Sequence, residues 1–407
     1  MIRRVQTADV AIIGSGAFGA STAYHLARRG ARVALIEQHA LSSQTSPRAA
    51  GLTSKAAASN AVMAQLRHEA VEALERWEAE TGHSIDFHRS GSLKAAYTEA
   101  GEARLHRDLA LTRELGVEAE LVTADAARRM APHFEPGAAR AIGHVPSDGW
   151  INPAGVAIGF ATRAIERGAQ AMPFTRVTGI LERGGRVTGV ATDKGEVQAP
   201  VVVDAAGAWT SSIAAARGLR LPLVAVRHQL FVTEPLGGVA PLQPIVRHLE
   251  ASVYVRYEAG GLMFGGYEDH PAVVDVSTRP PGFQIADLPL DLGVLRALLD
   301  EVGAHFPVLR TARVAVHRGG LPTMTPDGFP ILGPVPGLEG FHVASGCCVG
   351  GLTLSPAAGR ALADLILDGK SDPDLGPLSV ARFQGRDADA AALEAVCVEH
   401  YARKYIK

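Results

Sequence analysis

Between Val10 and Glu37 the chain reads as an apolar strand, the turn Gly14-Ser15-Gly16-Ala17-Phe18-Gly19, an amphipathic helix and a second strand, an order that leaves few folds open. Gly14 permits the tight turn after the first strand. Gly16 removes the side chain that would keep a pyrophosphate from the backbone N–H groups at the helix N-terminus, and Gly19 lets that helix pack closely on the strand. The helix is expected over 17–29, packing through Ala20, Ala23 and Leu26, with Gly30 ending it and residues 33–36 returning as the second strand. Glu37 follows Gly14 by 23 positions, where a dinucleotide-binding βαβ unit places the acid that accepts hydrogen bonds from both ribose hydroxyls. An unphosphorylated ribose is therefore expected, rather than that of NADP.

A chain of 407 residues has room for more than one core, and 47% apolar with 20% charged residues describes a globular protein. Its net charge of −2 supplies no basic stripe for nucleic acid and no polybasic membrane anchor. No apolar run reaches the length of a membrane-spanning helix, and residues 1–9 enter the first strand without a signal-peptide pattern, so a cytoplasmic location is expected. The three cysteines, Cys347, Cys348 and Cys397, form neither a disulfide framework nor a metal-ligand spacing. His68-Glu69 lacks the second histidine of a zinc protease, Asp364 occupies the first glycine position of a phosphate-binding loop ending at Gly369-Lys370-Ser371, and no GxSxG elbow occurs.

Strand-like and helix-like stretches alternate without internal repeat, which predicts an α/β chain. Helices are expected over 66–80, 101–115, 154–168, 288–305 and 356–367. Three strands are expected over 175–182, 186–192 and 197–204, with hairpins at Gly184-Gly185 and Lys194-Gly195, the last running into Asp204-Ala205-Ala206-Gly207-Ala208-Trp209. Strands over 229–233, 252–257 and 261–266 alternate apolar and polar residues, the pattern of an antiparallel sheet, which cannot continue a parallel layer without a crossover and is assigned to a second domain. Residues 325–333 read as a turn feeding an edge strand, followed by a buried strand over 341–345 and a glycine-rich loop over 346–351.

These motifs together resemble the D-amino-acid oxidase superfamily of FAD enzymes, nearest its dimethylglycine and sarcosine dehydrogenase branch. The resemblance rests on the GxGxxG unit with Glu37, the loop Ser46-Pro47-Arg48-Ala49-Ala50-Gly51-Leu52-Thr53, and Asp148-Gly149-Trp150-Ile151-Asn152-Pro153. It continues through the Asp204 to Trp209 turn, the segment from Tyr254 to Glu268, Thr325 to Gly333, and the final loop and helix. It implies an α/β (α+β overall) two-domain flavoprotein of glutathione-reductase type, with a Rossmann-like FAD-binding domain over 1–86, 146–224 and 317–407. A mainly antiparallel β substrate or cap domain would take 87–145 and 225–316.

It also implies which residues meet FAD: Gly14, Gly16, Ala17, Gly19, Glu37 and Gln38 for the ADP half, then Ser46, Arg48, Ala49, Ala50, Gly51 and Leu52 on the second loop. Val177 would offer its backbone to the adenine, and Ala206, Gly207 and Trp209 would pass close to the pyrophosphate or ribityl chain. Gly346, Cys348, Gly350, Gly351, Leu352 and Thr353 would present N–H groups and a helix N-terminus to the flavin N1/O2 edge, where hydride arrival at N5 places negative charge.

The departures matter equally. Arg48 stands where dimethylglycine dehydrogenases carry the histidine bonded to flavin, and Gly320 where sarcosine oxidases carry the attaching cysteine, so dissociable FAD is expected. Met263 replaces the lysine with which sarcosine oxidases activate dioxygen, favouring a dehydrogenase that passes electrons to a protein or quinone over one that uses dioxygen. Pro322 and Thr353 replace the carboxylate-binding arginine and lysine of relatives. Arg48, Lys55, Arg256 and Arg318 remain as pocket cations, with Tyr254, Tyr257, Tyr267, His228 and Trp150 as a candidate aromatic wall. The pocket is assigned to Arg48, Tyr254, Arg256, Met263 and Arg318. The implied reaction is FAD-dependent oxidation of a secondary or tertiary amine of N-methyl or N-alkyl amino acid type. Alternatives are a 2-hydroxy-acid dehydrogenase, the flavin subunit of a heteromeric amine oxidase, and an NAD-only Rossmann enzyme. Dimethylglycine-type enzymes continue into a folate-binding domain, and with this chain ending at Lys407 formaldehyde would be released or handed to a separate subunit.

Overall fold

The apolar runs Val10–Ile13, Val33–Ile36 and Val201–Asp204 form the middle of a six-stranded sheet, almost wholly buried. A computed structural model describes residues 6–55, 60–385 and 389–405; residues 1–5 of the N-terminal segment and 406–407 of the tail lie outside it. The strand order is Ile331–Pro334, Phe341–Ser345, Val201–Asp204, Val10–Ile13, Val33–Ile36, Gln170–Met172, parallel throughout except for the first pair. Such continuous apolar strands need cover on both faces. Helices Ala17–Arg28, Pro153–Glu166 and Gly351–Asp368 cover one face, with Ala61–Thr81 packed outside the last. A sheet of Val177–Arg183, Arg186–Thr192 and Gly195–Gln198, edged by Gln6–Thr7, covers the other.

That arrangement corrects the strand expected over 197–204. The chain leaves the outer sheet at Gln198 and enters the central one at Val201, because Pro200 between them has no N–H for either ladder. The second hairpin turn falls on Asp193-Lys194, with Gly195 already in the strand. The helix expected over 356–367 begins at Gly351, five residues before Pro356. Pro356 is tolerated because the Leu352 carbonyl, which it cannot reach as a donor, accepts from Ser355 Oγ at 2.9 Å. The helix expected over 288–305 is shorter, Leu292–Val302, since Pro289 precedes it and Asp291 caps it by accepting from the Gly293 N–H.

The second large sheet has eight strands in the order Val314–Gly320, His228–Thr233, Gly261–Gly266, Val253–Glu258, Ile245–His248, Ser92–Ala96, Ala141–Val145, Glu120–Leu121. It is antiparallel except where Ile245–His248 runs parallel to Ser92–Ala96, a pairing of distant segments that local periodicity does not reveal. Alternation gives it two faces. Phe231, Val253, Val255 and Phe264 pack under Leu292–Val302, whereas Leu230, Val232, Tyr254 and Met263 face the terminal helix Ala390–Ala402. No helix among the described residues is long and apolar enough to cross a membrane.

Candidate functional site

A cleft of about 380 Å³ opens where the central and outer sheets meet the first glycine turn. Gly14, Gly16, Glu37, Gln38, Ser46, Val177, Ala206, Gly207 and Trp209 all line it, so nine expected nucleotide contacts from five separate segments converge. The three motif glycines do different things. Gly14 has φ +94°, and a Cβ there would lie 2.6 Å from the Ala205 carbonyl oxygen. At Gly19 a Cβ would lie 2.0 Å from the Gly14 carbonyl oxygen. At Gly16 the nearest atom to such a Cβ is Ser46 Oγ at 3.4 Å, so this position faces the open cleft. An anion fits that space, bounded by a helix N-terminus with no carboxylate in its first turn.

Glu37 is buried and already oriented: Oε2 accepts from Ser15 N at 3.0 Å and Ser15 Oγ at 2.9 Å, and Oε1 from His39 N at 2.9 Å. A carboxylate has about four acceptor sites, so these bonds hold it while leaving capacity for a ligand hydroxyl. Across the cleft, Asp204 Oδ1 accepts from Ala206 N at 3.1 Å and Thr210 Oγ1 at 3.2 Å, which fixes the Ala206 to Trp209 turn. Its Oδ2 is buried without a partner, and burial pushes the carboxyl up to about 7.

The remaining expected cofactor residues lie on two loops that the fold joins. Thr353 Oγ1 donates to the Leu52 carbonyl at 2.5 Å, tying the N-terminus of Gly351–Asp368 to the Ala49 to Leu52 segment. The loop before that helix is strained: Cys348 and Val349 have φ of 44° and 58°, a left-handed conformation that a β-branched residue rarely adopts. Thr323 holds it, its hydroxyl accepting from Gly346 N and Cys347 N and its carbonyl from Cys348 N. Burial pushes the Cys348 thiol up to about 11, the opposite of what a nucleophilic thiolate needs.

The expected substrate cations all have protein partners. Arg256 is buried, donates to the Ala50 carbonyl at 2.7 Å and to Glu258 Oε2 at 2.8 Å, and lies 5.0 Å from the Trp150 ring centre. Arg318 grips both oxygens of the same Glu258 and reaches the Ala49 carbonyl at 3.4 Å. Burial opposes ionisation of Glu258, but hydrogen bonding and charge from Arg318 and Arg256 outweigh it and hold the carboxyl below its ordinary range. Arg48 turns back to the carbonyls of Ser43 and Gln44, and Lys55 pairs with Glu75 at 3.4 Å. Arg48, Lys55, Arg256 and Arg318 are thus each held within the protein, and Arg256 and Arg318 position the Ala49-Ala50 backbone.

Of the aromatic wall, Tyr254, Tyr267 and His228 come together, while Trp150 stacks on His88 and approaches Tyr257 on the Arg256 side. Met263 is buried on the Tyr254 face. His228 bridges Tyr401 (Nδ1 to Oη, 2.8 Å) and Tyr254 (Nε2 to Oη, 2.9 Å), and burial lowers it to about 4. Sequence reasoning missed Glu258 and Tyr401. Glu258 was visible only as a charge at a strand end, and Tyr401 arrives from the chain terminus, for which no spacing signal exists.

Comparison with known proteins matches residues 9–365 to the DAO family, FAD dependent oxidoreductase. The chain belongs to this family. It is 31% identical to mitochondrial sarcosine dehydrogenase of Mus musculus, covering 98% of this chain and 44% of that protein. It is 31% identical to mitochondrial dimethylglycine dehydrogenase of Homo sapiens, covering 97% and 46%. It is 30% identical to the formaldehyde-forming 4-methylaminobutanoate oxidase of Paenarthrobacter nicotinovorans, covering 97% and 48%. The chain thus spans less than half the length of these relatives. Among solved structures, glycine oxidase from Geobacillus kaustophilus superposes with a TM-score of 0.81 at 27% identity, covering 94% of this chain and all 100% of that one. L-proline dehydrogenase from P. horikoshii, at 24% identity, shares the fold with a TM-score of 0.85, covering 95% and 100%.

Proposed function

We propose that this chain oxidises a secondary or tertiary amine of the N-alkyl amino acid type, using dissociable FAD. The observation that carries the reading is the meeting of three parts. These are a nucleotide cleft ending at Gly16, the facing Ala49 to Leu52 and Gly346 to Thr353 loops, and the Tyr254–Met263 face of the eight-stranded sheet. FAD, when bound, would supply the hydride acceptor; an amine that gives up hydride from the carbon beside nitrogen would leave an iminium, which water would hydrolyse to a carbonyl compound and a shorter amine.

The residues of this chain bind and orient. Gly16 and the N-terminus of Ala17–Arg28 would take the pyrophosphate, Glu37 the ribose, and Val177 the adenine; Ala206, Gly207 and Trp209 would flank the chain between the two nucleotide halves. The N-terminus of Gly351–Asp368 would stabilise negative charge at the flavin N1/O2 edge. Near neutral pH the imidazole of His228 is uncharged, so it donates one hydrogen bond and accepts one. One of Tyr254 and Tyr401 therefore keeps its own proton to donate elsewhere. The apolar surroundings of Met263 and Tyr254 favour the neutral amine, the form able to release hydride. Met263 puts no cation beside a dioxygen site, which supports an electron-transfer protein, a quinone or a partner subunit as acceptor ahead of dioxygen itself.

The domain division at 87–145 and 225–316 is part of this proposal, with the eight-stranded sheet as the substrate side. Anaerobic addition of N-methyl amino acids, simple amines and 2-hydroxy acids to the yellow protein tests it. Flavin bleaching by N-methyl amino acids is expected, and bleaching by hydroxy acids alone overturns the amine reading. Acid precipitation should leave FAD in the supernatant.

A further inference from the structure

The sheet face that carries Tyr254 continues into a row of cations that the activity above does not use. Pairing sets Arg318 opposite Leu230, Leu230 opposite Gly265, Gly265 opposite Tyr254, Tyr254 opposite Arg247, and Arg247 opposite Lys94. Residues directly opposite in neighbouring strands project to the same face, so Arg247 stands beside Tyr254 and Lys94 follows one strand further along the same face. Arg67, from helix Ala61–Thr81, and Lys404, beyond the terminal helix, come within electrostatic range of the same group.

The charges do not balance. Asp148 is the near anion, its Oδ2 shared between Ser92 Oγ at 2.6 Å and Arg247 at 3.3 Å, while its buried Oδ1 has no hydrogen-bond partner. Asp108 acts on Lys94 from further away and is itself paired with Arg104 at 3.5 Å. Among the described residues neither Lys94 nor Arg67 has an ion pair or side-chain hydrogen bond, and Lys404 Nζ has only the Cys348 carbonyl, at 2.7 Å. Arg247 is buried and the other three are partly buried, and cations withdrawn from water persist when something pairs them, since isolated buried charge is costly. Burial lowers Lys94, Arg67 and Lys404 alike.

We propose that Lys94, Arg247, Arg67 and Lys404 seat an anionic arm of the substrate, so that the amine oxidised is a dicarboxylate rather than a simple N-methyl amino acid. Four cations against Asp148 leave more positive charge than one carboxylate neutralises. The proposal rests on the amine reading for its chemistry, whereas the anion seat rests on the strand register of Lys94 and Arg247 and on the contacts of Asp148 and Lys404. Lys404 adds that the terminal segment completes the site: it ties the Cys348 loop to the cation row, on the face where Tyr401 meets His228.

Two measurements test this. Anaerobic flavin bleaching compares N-methylaspartate and N-methylglutamate with N-methylalanine and N-methylleucine, in the wild type and in Lys94→Met and Arg67→Met. Half-saturation about tenfold lower or more for the dicarboxylates, lost in both variants, is expected from removing a charge-assisted contact. Thermal shift with glutarate against acetate at constant ionic strength is read on the flavin-free protein. Glutarate should raise the melting temperature of the wild type but not of Lys94→Met, which should itself be no less stable than wild type because Lys94 has no ion pair or side-chain hydrogen bond among the described residues to lose and its burial disfavours its charge. If no amine bleaches the flavin while glutarate still stabilises the wild type alone, the amine reading fails and the anion seat stands. If monocarboxylates serve equally well, or glutarate stabilises no more than acetate, the inference is overturned.

Discussion

Replacing each motif glycine with alanine separates what the first turn does for the fold from what it does for the ligand. Gly19→Ala would set a Cβ 2.0 Å from the Gly14 carbonyl oxygen and 3.1 Å from the Ala205 Cβ. Helix and turn must then move apart, at ~1–3 kcal/mol for overpacking. Gly14→Ala adds a left-handed backbone cost of ~1–2 kcal/mol to a Cβ placed 2.6 Å from a carbonyl oxygen. Gly16→Ala meets neither obstacle. Its φ of −66° suits alanine, and the new methyl would touch only Ser46 Oγ at 3.4 Å. The unliganded protein should therefore keep its stability, or gain up to ~1 kcal/mol because alanine restricts the unfolded chain. That methyl nonetheless occupies the space where a phosphate would approach the helix N-terminus. Losing one charge-assisted hydrogen bond, worth ~1.5–3 kcal/mol, weakens FAD binding by about tenfold to a hundredfold. Thermal melts of flavin-stripped protein and fluorescence titration with FAD read the two effects separately. FAD affinity within twofold of wild type for Gly16→Ala, or a loss of stability equal to that of Gly19→Ala, would refute the assignment of this turn.

Two further outcomes follow from carboxylates, one partly buried and one fully buried. Glu258→Gln leaves Arg256 and Arg318 without their shared anion, and should cost ~2–3 kcal/mol, below the full value for a buried pair because Glu258 is 24% exposed. The folded-state carboxyl is held down, so this stability is present above the ordinary carboxylate range and lost as pH falls through the folded value. Wild type and variant should converge in acid melts, and an unchanged melting temperature at pH 7 would contradict the clamp. Asp204 has the opposite sign. Its carboxyl is raised from 3.8 to about 7, so wild-type stability declines as pH rises across that interval, by ~4 kcal/mol in the limit. Asp204→Asn should melt above wild type at pH 8 with a smaller gap at pH 5; a pH-independent gap would show that Asp204 is ionised throughout.

The sequence by itself determined the nucleotide half of this protein. Local rules were enough there: a buried strand, a turn only glycines can make, a helix one face of which is small and apolar, and an acid at the end of the next strand. Each is a short-range requirement, so Gly14, Gly16, Gly19 and Glu37 could be read directly, and the family resemblance extended the reading to the Gly346 to Thr353 loop. Element edges failed where a single residue changed sheet or helix register, at Pro200, Asp291 and Pro356. What only the tertiary structure decided is which charges meet which partners. Arg256 and Arg318 look alike to Lys94 and Arg247 in a linear chain. The parallel pairing of Ile245–His248 with Ser92–Ala96 aligns the second pair beside Tyr254, and Glu258 neutralises part of the first. Charge balance at a buried site depends on neighbours brought from distant segments, and the strand register that brings them is a property of the folded sheet.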